Sequence, residues 1–200
     1  MLPIKSIVNQ IRITTKDTDS EQNSYKDEEL LMYVNAGIRF IRRSISKLNP
    51  LLIADYQRSF TLEANENDVD LESNVYRVIE VRNNGKVLSP TNYFEIKDKS
   101  AYGTPNKYCM IGNRHVKIFP LSNESCTVDI LAINDSGELN LGDTSPFVTD
   151  LDDLIIEYAV LRCGMSDRFT MTQETQLFAS IVTQLQEMCA VETECIQDGY

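Results

Sequence analysis

The sequence has few of the residues from which metal sites and nucleophilic sites are built. Its 200 residues include one histidine, His115, and five cysteines, no two of which have CxxC spacing. A structural zinc ion takes about four Cys or His ligands, which usually come in closely spaced pairs. Because the sequence has a single histidine and no close pair of cysteines, we expect no zinc site. We interpret the cysteines as reduced thiols that pack as small apolar side chains; they are Cys109, Cys126, Cys163, Cys189 and Cys195.

Catalytic and phosphate-binding motifs are lacking as well. The sequence contains no G-x-S-x-G elbow and no G-x-G-x-x-G. Its Gly85-Lys86 pair has no preceding glycine at P-loop spacing. His115 follows a Gly-Asn turn in an alternating segment, and no motif supplies a serine or cysteine partner, so we interpret it as an ordinary strand residue. We therefore predict that the protein is not an enzyme and takes no cofactor.

Long hydrophobic runs are also missing. No apolar run approaches the roughly 18–20 residues that span a bilayer, and polar residues interrupt every apolar cluster in the opening "MLPIKSIVNQIRITTKD". This opening does not have the pattern of a signal peptide, and we expect a protein made in a cytoplasm. The composition, with 42% hydrophobic and 24% charged residues, nevertheless suffices for a buried core.

Basic residues become scarce toward the end of the chain. Residues 1–50 hold 8 Lys/Arg against 6 Asp/Glu, whereas residues 141–200 hold 2 against 11, and the net charge is −11. A clustered basic surface is the usual requirement for tight sequence-specific DNA binding, so this function is not expected. The uneven charge suits head-to-tail contact between copies. A solvated acidic surface that maintains solubility explains it equally well.

The spacing of apolar residues predicts helices toward both ends. A short amphipathic helix is predicted at 2–13, and residues 27–47 repeat apolar residues at steps of three and four. Carboxylates in the first turn and cations near the end of this second helix favour it, and Asn49-Pro50 ends it. A third helix is predicted to start at Thr149 or Asp150 as N-cap, and a fourth around 172–192.

The middle of the chain has the alternating pattern of strands. Residues 56–63 alternate, 74–90 form a hairpin around Asn84-Gly85, 106–120 form another around Gly112-Asn113, and 125–134 add a strand. Consecutive strands without crossover helices favour antiparallel pairing. We predict an α+β protein with a four-helix core and an inserted antiparallel β-sheet sub-domain. Its segments are 1–55 (helices), 56–135 (β sub-domain), 136–149 (loop), 150–190 (helices) and 191–200 (flexible tail).

Clusters of charged residues are the remaining candidate sites. "DLDD" contains Asp150, Asp152 and Asp153, which suggest a metal or acid–base site, although a helix N-terminus accounts for them equally. "NENDVD" at 65–70 lacks the glycine and distal glutamate of a calcium loop, and a solvated turn is its alternative. Basic residues at i, i+4 and i+8 form a stripe that suits an acidic partner or a solvated face; they are Arg39, Arg43 and Lys47.

Four segments, taken in this order, resemble the head-to-tail adaptor (connector) proteins of tailed bacteriophages. They are "YKDEELLMYVNAGIRFIRRSI" (25–45), "NVYRVIEVRNNGKVLSPTNYFEI" (74–96), "GTPNKYCMIGNRHVKIFPLSNESCTVDILAI" (103–133) and "DTSPFVTDLDDLIIEYAVLRCGMSDR" (143–168). Together they cover most of the chain. The sequence departs from the family at Lys26, where a serine or threonine before the acidic helix start is common.

The resemblance implies a structural protein of the virion that takes part in tail assembly and DNA ejection. Copies are expected to close into a ring, twelvefold by analogy, beneath the portal. The helical core forms the wall of this ring, and the sheet helps to fix neighbours. Genomic DNA passes through the lumen without specific binding, which suits a net-negative protein.

The same resemblance names the partners and the binding residues. The partners are the portal protein, tail or nozzle proteins and further copies of the chain, and no membrane is involved. The C-terminal segment is expected to dock on the portal and to order on binding. Its candidate apolar anchors are Met188, Val191, Ile196 and Tyr200. The alternatives are a soluble interaction module outside the virion and, with less support, a small metal-assisted hydrolase built on Asp150, Asp152 and Asp153.

Overall fold

The computed structural model describes residues 1–18, 24–56, 59–167, 176 and 179–188. The chain divides into two compact units. One unit contains the described residues of Met1–Ile53 and Ser136–Tyr200, and the other is Ala54–Asp135. The predicted mixture of helices and antiparallel strands is confirmed, except that the strands form two sheets rather than one and that one strand pair is parallel. The four-helix core stays a prediction.

The first unit is helical. It contains α1 (Ile4–Thr15), α2 (Asp27–Leu48) and α3 (Thr149–Asp167), and residues 179–188 are helical as well. The predicted ends of the second helix are confirmed, since α2 carries three acids in its first turn and a short 3-10 turn at Pro50–Leu52 follows it. Helix α3 begins earlier than expected. Thr149 is its first helical residue, and the N–H of Asp152 donates to the carbonyl of Val148.

The apolar positions of the helices meet in one core. Each helix contributes residues at the spacing of a single helical face, such as Ile4, Ile7 and Ile11 of α1. Helices α2 and α3 approach closely at Gly37, where an added Cβ atom would lie 3.2 Å from Cδ1 of Tyr158. The buried side chains of this core also include Val34, Ile38, Ile41, Leu154, Ile155, Ala159, Ile181 and Leu185.

The second unit contains nine strands in two sheets within its described residues. The strands are β1 (Ala54–Tyr56), β2 (Phe60–Leu62), β3 (Asp68–Asp70), β4 (Val75–Asn83), β5 (Lys86–Val87), β6 (Ser89–Pro90), β7 (Lys107–Ile111), β8 (His115–Phe119) and β9 (Cys126–Asn134). One sheet has the order β1-β9-β4-β5, and β2 also pairs with β9. The other sheet has the order β3-β8-β7-β6.

Both predicted hairpins are confirmed, with different turns. Asn83 pairs with Lys86, and Asn84 and Gly85 both have positive φ, as a two-residue type I′ turn requires. In the second hairpin Ile111 pairs with His115, so three residues form the connection. Gly112 has a φ of 62°, which glycine adopts without a steric penalty.

One strand pair departs from the expected antiparallel arrangement. The segment predicted as a single strand after Gly85 divides at Leu88, a buried residue of the second unit's core. Val87 pairs with β4 in the first sheet, whereas Ser89 pairs with β7 in the second sheet, in parallel orientation. The chain therefore moves from one sheet to the other across a single buried leucine.

Candidate protein-interaction surfaces

His115 lies on an exposed strand position among charged side chains. Its Nδ1 is 3.4 Å from Oδ1 of Asp68 on the neighbouring strand, and Nζ of Lys117 is 3.0 Å from Oδ2 of the same carboxylate. In the β3–β8 register Asp68 lies directly opposite Lys117 and diagonally opposite His115, on the same face of the sheet. Because His115, Asp68 and Lys117 are all at least partly exposed, the arrangement is that of a charged sheet surface.

The carboxylates of "DLDD" do not converge. Asp152 is fully buried, and its Oδ2 accepts the backbone N–H of Leu2 at 2.8 Å. Asp150 and Asp153 are exposed. Within the described residues, no group of three or more His, Cys, Asp or Glu side chains is placed to hold a metal ion. The buried carboxylate thus fixes the start of the chain against α3.

The described cysteines are buried free thiols. They are Cys109, Cys126 and Cys163. Burial raises the pKa of the Cys109 and Cys126 thiols, because a low-dielectric environment disfavours the thiolate. A nucleophilic cysteine needs the opposite shift. Their environment agrees with the interpretation as packed apolar side chains, and Cys189 and Cys195 lie outside the described residues.

The predicted basic stripe on α2 is only partly exposed. Arg39 lies 3.6 Å from Glu138 of the same unit. Arg43 and Lys47 are exposed, and neither has an ion-pair partner within the part of the chain that the structure describes. These two cations are therefore the members of the stripe that are available to another molecule.

The predicted C-terminal anchors fall mostly outside the described residues. Val191, Ile196 and Tyr200 lie there. Met188 is described, and its side chain packs partly against the helical core. The role of all four residues in binding another protein stays a prediction.

The prediction from the sequence missed a second polar face on α2. The side chain of Asn35 donates to the carbonyl of Leu139 at 3.0 Å and accepts the N–H of Leu139 at 2.9 Å. Two turns later, the buried Arg42 donates to Oγ of Ser136 at 2.8 Å. With Arg39 between them, these side chains hold residues 136–139 on the helix. The available signal was Asn35 itself, a polar residue that follows the core residue Val34 and lies one helical turn before the core residue Ile38.

A polar network at the end of α1 was also missed. The guanidinium of Arg12 donates to Oδ2 of Asp17 at 2.7 Å, to the carbonyl of Tyr25 at 3.0 Å and to Oδ1 of Asp27 at 2.6 Å. Asp17 in turn accepts the backbone N–H of Ser24 at 2.6 Å. Since Arg12 lies near the end of α1 and Asp27 is the first residue of α2, the network joins these two helix ends. The side chains of Arg12 and Asp17 are largely buried.

The second unit carries an apolar groove beside β7, which we name the β7-edge groove. It has a volume of about 960 Å³, and its walls are residues 90–94 and 108–112. Phe94 is 88% exposed, and Met110 is 37% exposed. The sequence showed no signal for this groove, because its two walls are formed by segments that only the sheet brings together.

Within the described residues, no helix is both long enough and apolar enough to cross a membrane. The family model of the SU10 adaptor protein matches residues 3–194, nearly the whole chain and both of its units. No curated protein matches the sequence.

Proposed function

Because the chain belongs to the SU10 adaptor protein family, we propose that it is a ring-forming head-to-tail adaptor of a tailed phage virion. The observation that carries this proposal is the family match over residues 3–194, which includes the helical unit and the inserted sheets. The family is one of structural phage adaptors, which associate with other head and tail components. The adaptor role needs no catalytic centre, and we assign none.

In this proposal, copies pack side by side through a heterologous contact that closes into a ring, twelvefold by family analogy. The helical unit, completed as a four-helix core by the predicted helix around 172–192, forms the ring wall. Apolar side chains exposed on this unit support such packing. Ile13 of α1 is 67% exposed, Met32 of α2 is 55% exposed and Leu51 is 57% exposed. Burial of these side chains between copies favours association.

We further propose that the ring docks beneath the portal and connects it to the tail or nozzle proteins. The C-terminal segment supplies the portal contact through Met188, Val191, Ile196 and Tyr200, and it orders on binding. Arg39, Arg43 and Lys47 meet an acidic surface of a partner. The net charge of −11 suits a ring through which DNA slides without being held by its phosphates.

The test is to mix the purified chain with the portal protein encoded in the same phage genome and to image the mixture by negative-stain electron microscopy. We expect a second ring stacked on one face of the portal. A chain ending at Met188 is the matched variant, and it should keep the melting temperature of the full chain but leave the portal bare.

Bare portals beside the unbound full-length chain, at every salt concentration between about 50 and 500 mM, would contradict portal docking. That outcome would favour an interaction module outside the virion. A truncated chain that still forms the second ring would instead contradict the role of the C-terminal segment alone.

A further inference from the structure

The open edge of β7 is the starting observation. Strand β6 covers only the first two residues of β7, since Ser89 pairs with Lys107 and Pro90 pairs with Tyr108. Beyond them, Cys109–Ile111 pair with β8 on one side and with no strand on the other within the described residues. Backbone N–H and C=O groups at such an edge are able to pair with another chain.

The register identifies which backbone groups are available. The carbonyl of Tyr108 accepts the N–H of Thr91 at 2.8 Å, so the peptide groups of Tyr108 point toward β6. Along a strand, peptide groups point to the same edge at every second residue. The N–H and C=O of Met110 therefore point to the same edge as those of Tyr108, at the place where β6 has ended.

The groove beside this edge is apolar and held in place. Phe94 projects at its wall with 88% of its surface exposed, and it contacts Tyr93 edge-to-face with ring centroids 6.1 Å apart. Tyr93 is itself held by Phe119, at 6.4 Å between centroids, and by the ammonium of Lys99, 4.3 Å from its ring. Exposed apolar surface marks interaction sites, and an exposed sheet edge with a neighbouring pocket for side chains is what peptides bound by strand addition use.

The charge around the groove indicates the chemistry of the ligand. Residues 86–121 carry six Lys/Arg against two Asp/Glu, in a chain whose net charge is −11. Two of the six, Arg114 and Lys117, pair with Asp70 and Asp68 of β3, so the cations that count here are the four lysines of 86–107. Lys107 at the start of β7 is exposed, and Lys99 lies over Tyr93. Pairing the β7 edges of two copies would bring two such basic segments together, which charge repulsion disfavours. An acidic segment of a different chain is complementary.

We propose that the β7-edge groove binds an extended, acidic peptide segment of another virion protein. The segment adds a strand next to β7 by pairing with the backbone of Met110. One of its apolar side chains packs on Phe94, and its carboxylates face Lys99 and Lys107. That the partner is a virion protein rests on the proposed function, whereas the binding of an acidic strand rests on the edge, the groove and the charge.

The test uses the full chain and two labelled heptapeptides, one of alternating glutamate and valine and one of alternating lysine and valine. Fluorescence anisotropy should show saturable binding of the glutamate peptide, weakened by salt, and at least about tenfold weaker binding of the lysine peptide. Met110→Pro removes the N–H at the open edge and should weaken binding about tenfold or more. Met110→Leu keeps that N–H and should bind like the wild type.

Phe94→Ala is the second variant, because a side chain that is 88% exposed contributes little to folding, and it should weaken binding as well. The proposal is overturned by any of three results: no saturable binding of the glutamate peptide, equal binding of both peptides, or unchanged binding in both Met110→Pro and Phe94→Ala. Self-association of the wild type that is lost in Met110→Pro would place a second copy in the groove and would also overturn it.

Portal docking by the same variants separates this inference from the proposed function. We expect Met110→Pro and Phe94→Ala to form the second ring on the portal like the wild type. Peptide binding without portal docking by the wild type would contradict the proposed function alone. Portal docking without peptide binding would contradict the groove alone.

Discussion

At the scale of single residues, buried polar side chains determine several connections of the helical unit. Arg12 and Asp17 resemble surface residues in the sequence, yet their side chains are 12% and 5% exposed. Asn35 is buried with its amide paired to the backbone of Leu139. Charged residues are almost never fully buried unless they are paired, so a sequence pattern alone assigns them to the surface.

The first prediction concerns Arg12. Its replacement in Arg12→Ala leaves the carboxylate of Asp17 largely buried without its cation, and removing one partner of a buried pair costs about 3 kcal/mol of the free energy of unfolding. Urea denaturation followed by circular dichroism measures this loss. Lys5→Ala on the exposed side of the same helix is the control, and its effect should stay within about 0.5 kcal/mol. Equal stability of the two variants would contradict the role of the network.

At the scale of elements, α2 presents three different faces. One face carries the apolar core residues. A second face holds residues 136–139 through Asn35, Arg39 and Arg42. The third face exposes Arg43 and Lys47 to solvent. The core face includes Gly37, the point of closest approach to α3. A single helix thereby connects the core, an internal loop contact and a surface available to partners.

The second prediction concerns Gly37. In Gly37→Val the new Cβ would lie 3.2 Å from Cδ1 of Tyr158 and 3.4 Å from Cγ2 of Ile155, and two further methyl groups must be accommodated between α2 and α3. We expect overpacking to lower the free energy of unfolding by about 1–3 kcal/mol. Met32→Val introduces the same β-branched side chain at an exposed position of α2 and serves as the control. If the Gly37→Val protein has the same free energy of unfolding in urea as the wild type, the prediction is contradicted, because α2 and α3 then move apart without loss of stability.

At the scale of the whole molecule, charge is distributed unevenly along the chain. The last sixty residues are strongly acidic, whereas residues 86–121 and the exposed end of α2 are basic. A protein that assembles with other head and tail components can use such regions to select partners and to orient them. Two separate surfaces are candidates for this role, namely Arg43 with Lys47 on the helical unit and the β7-edge groove on the other.

The third prediction concerns the cations of α2. Reversing both charges in the double variant Arg43→Glu, Lys47→Glu should reduce the fraction of portals that carry a second ring about tenfold, because like charges at a contact oppose binding. Counting rings in negative-stain images measures the effect. The double variant Lys5→Glu, Lys26→Glu makes the same change in net charge at exposed positions elsewhere. Equal docking of both double variants would identify Arg43 and Lys47 as a solvated face.

Local patterns were sufficient to predict helices α1, α2 and α3 and both hairpins. The apolar spacing of residues 27–47 predicted α2 almost to the residue, and Asn84-Gly85 predicted a type I′ turn. These features depend on the geometry of neighbouring residues, with a period of 3.6 for a helix and of 2 for a strand. The predicted N-cap of α3, Thr149 or Asp150, lies one or two residues too late, because helix ends depend on only one or two hydrogen bonds.

The sequence by itself determined the α+β class of the protein, the placement of helices toward both ends with strands between them, and the resemblance to phage adaptors. Only the tertiary structure decided the division of the chain at Leu88 between two sheets, the burial of Asp17 and Asn35, and the groove beside β7. The physical reason is distance along the chain. Asn35 meets Leu139 more than one hundred positions away, and no local pattern specifies such a contact.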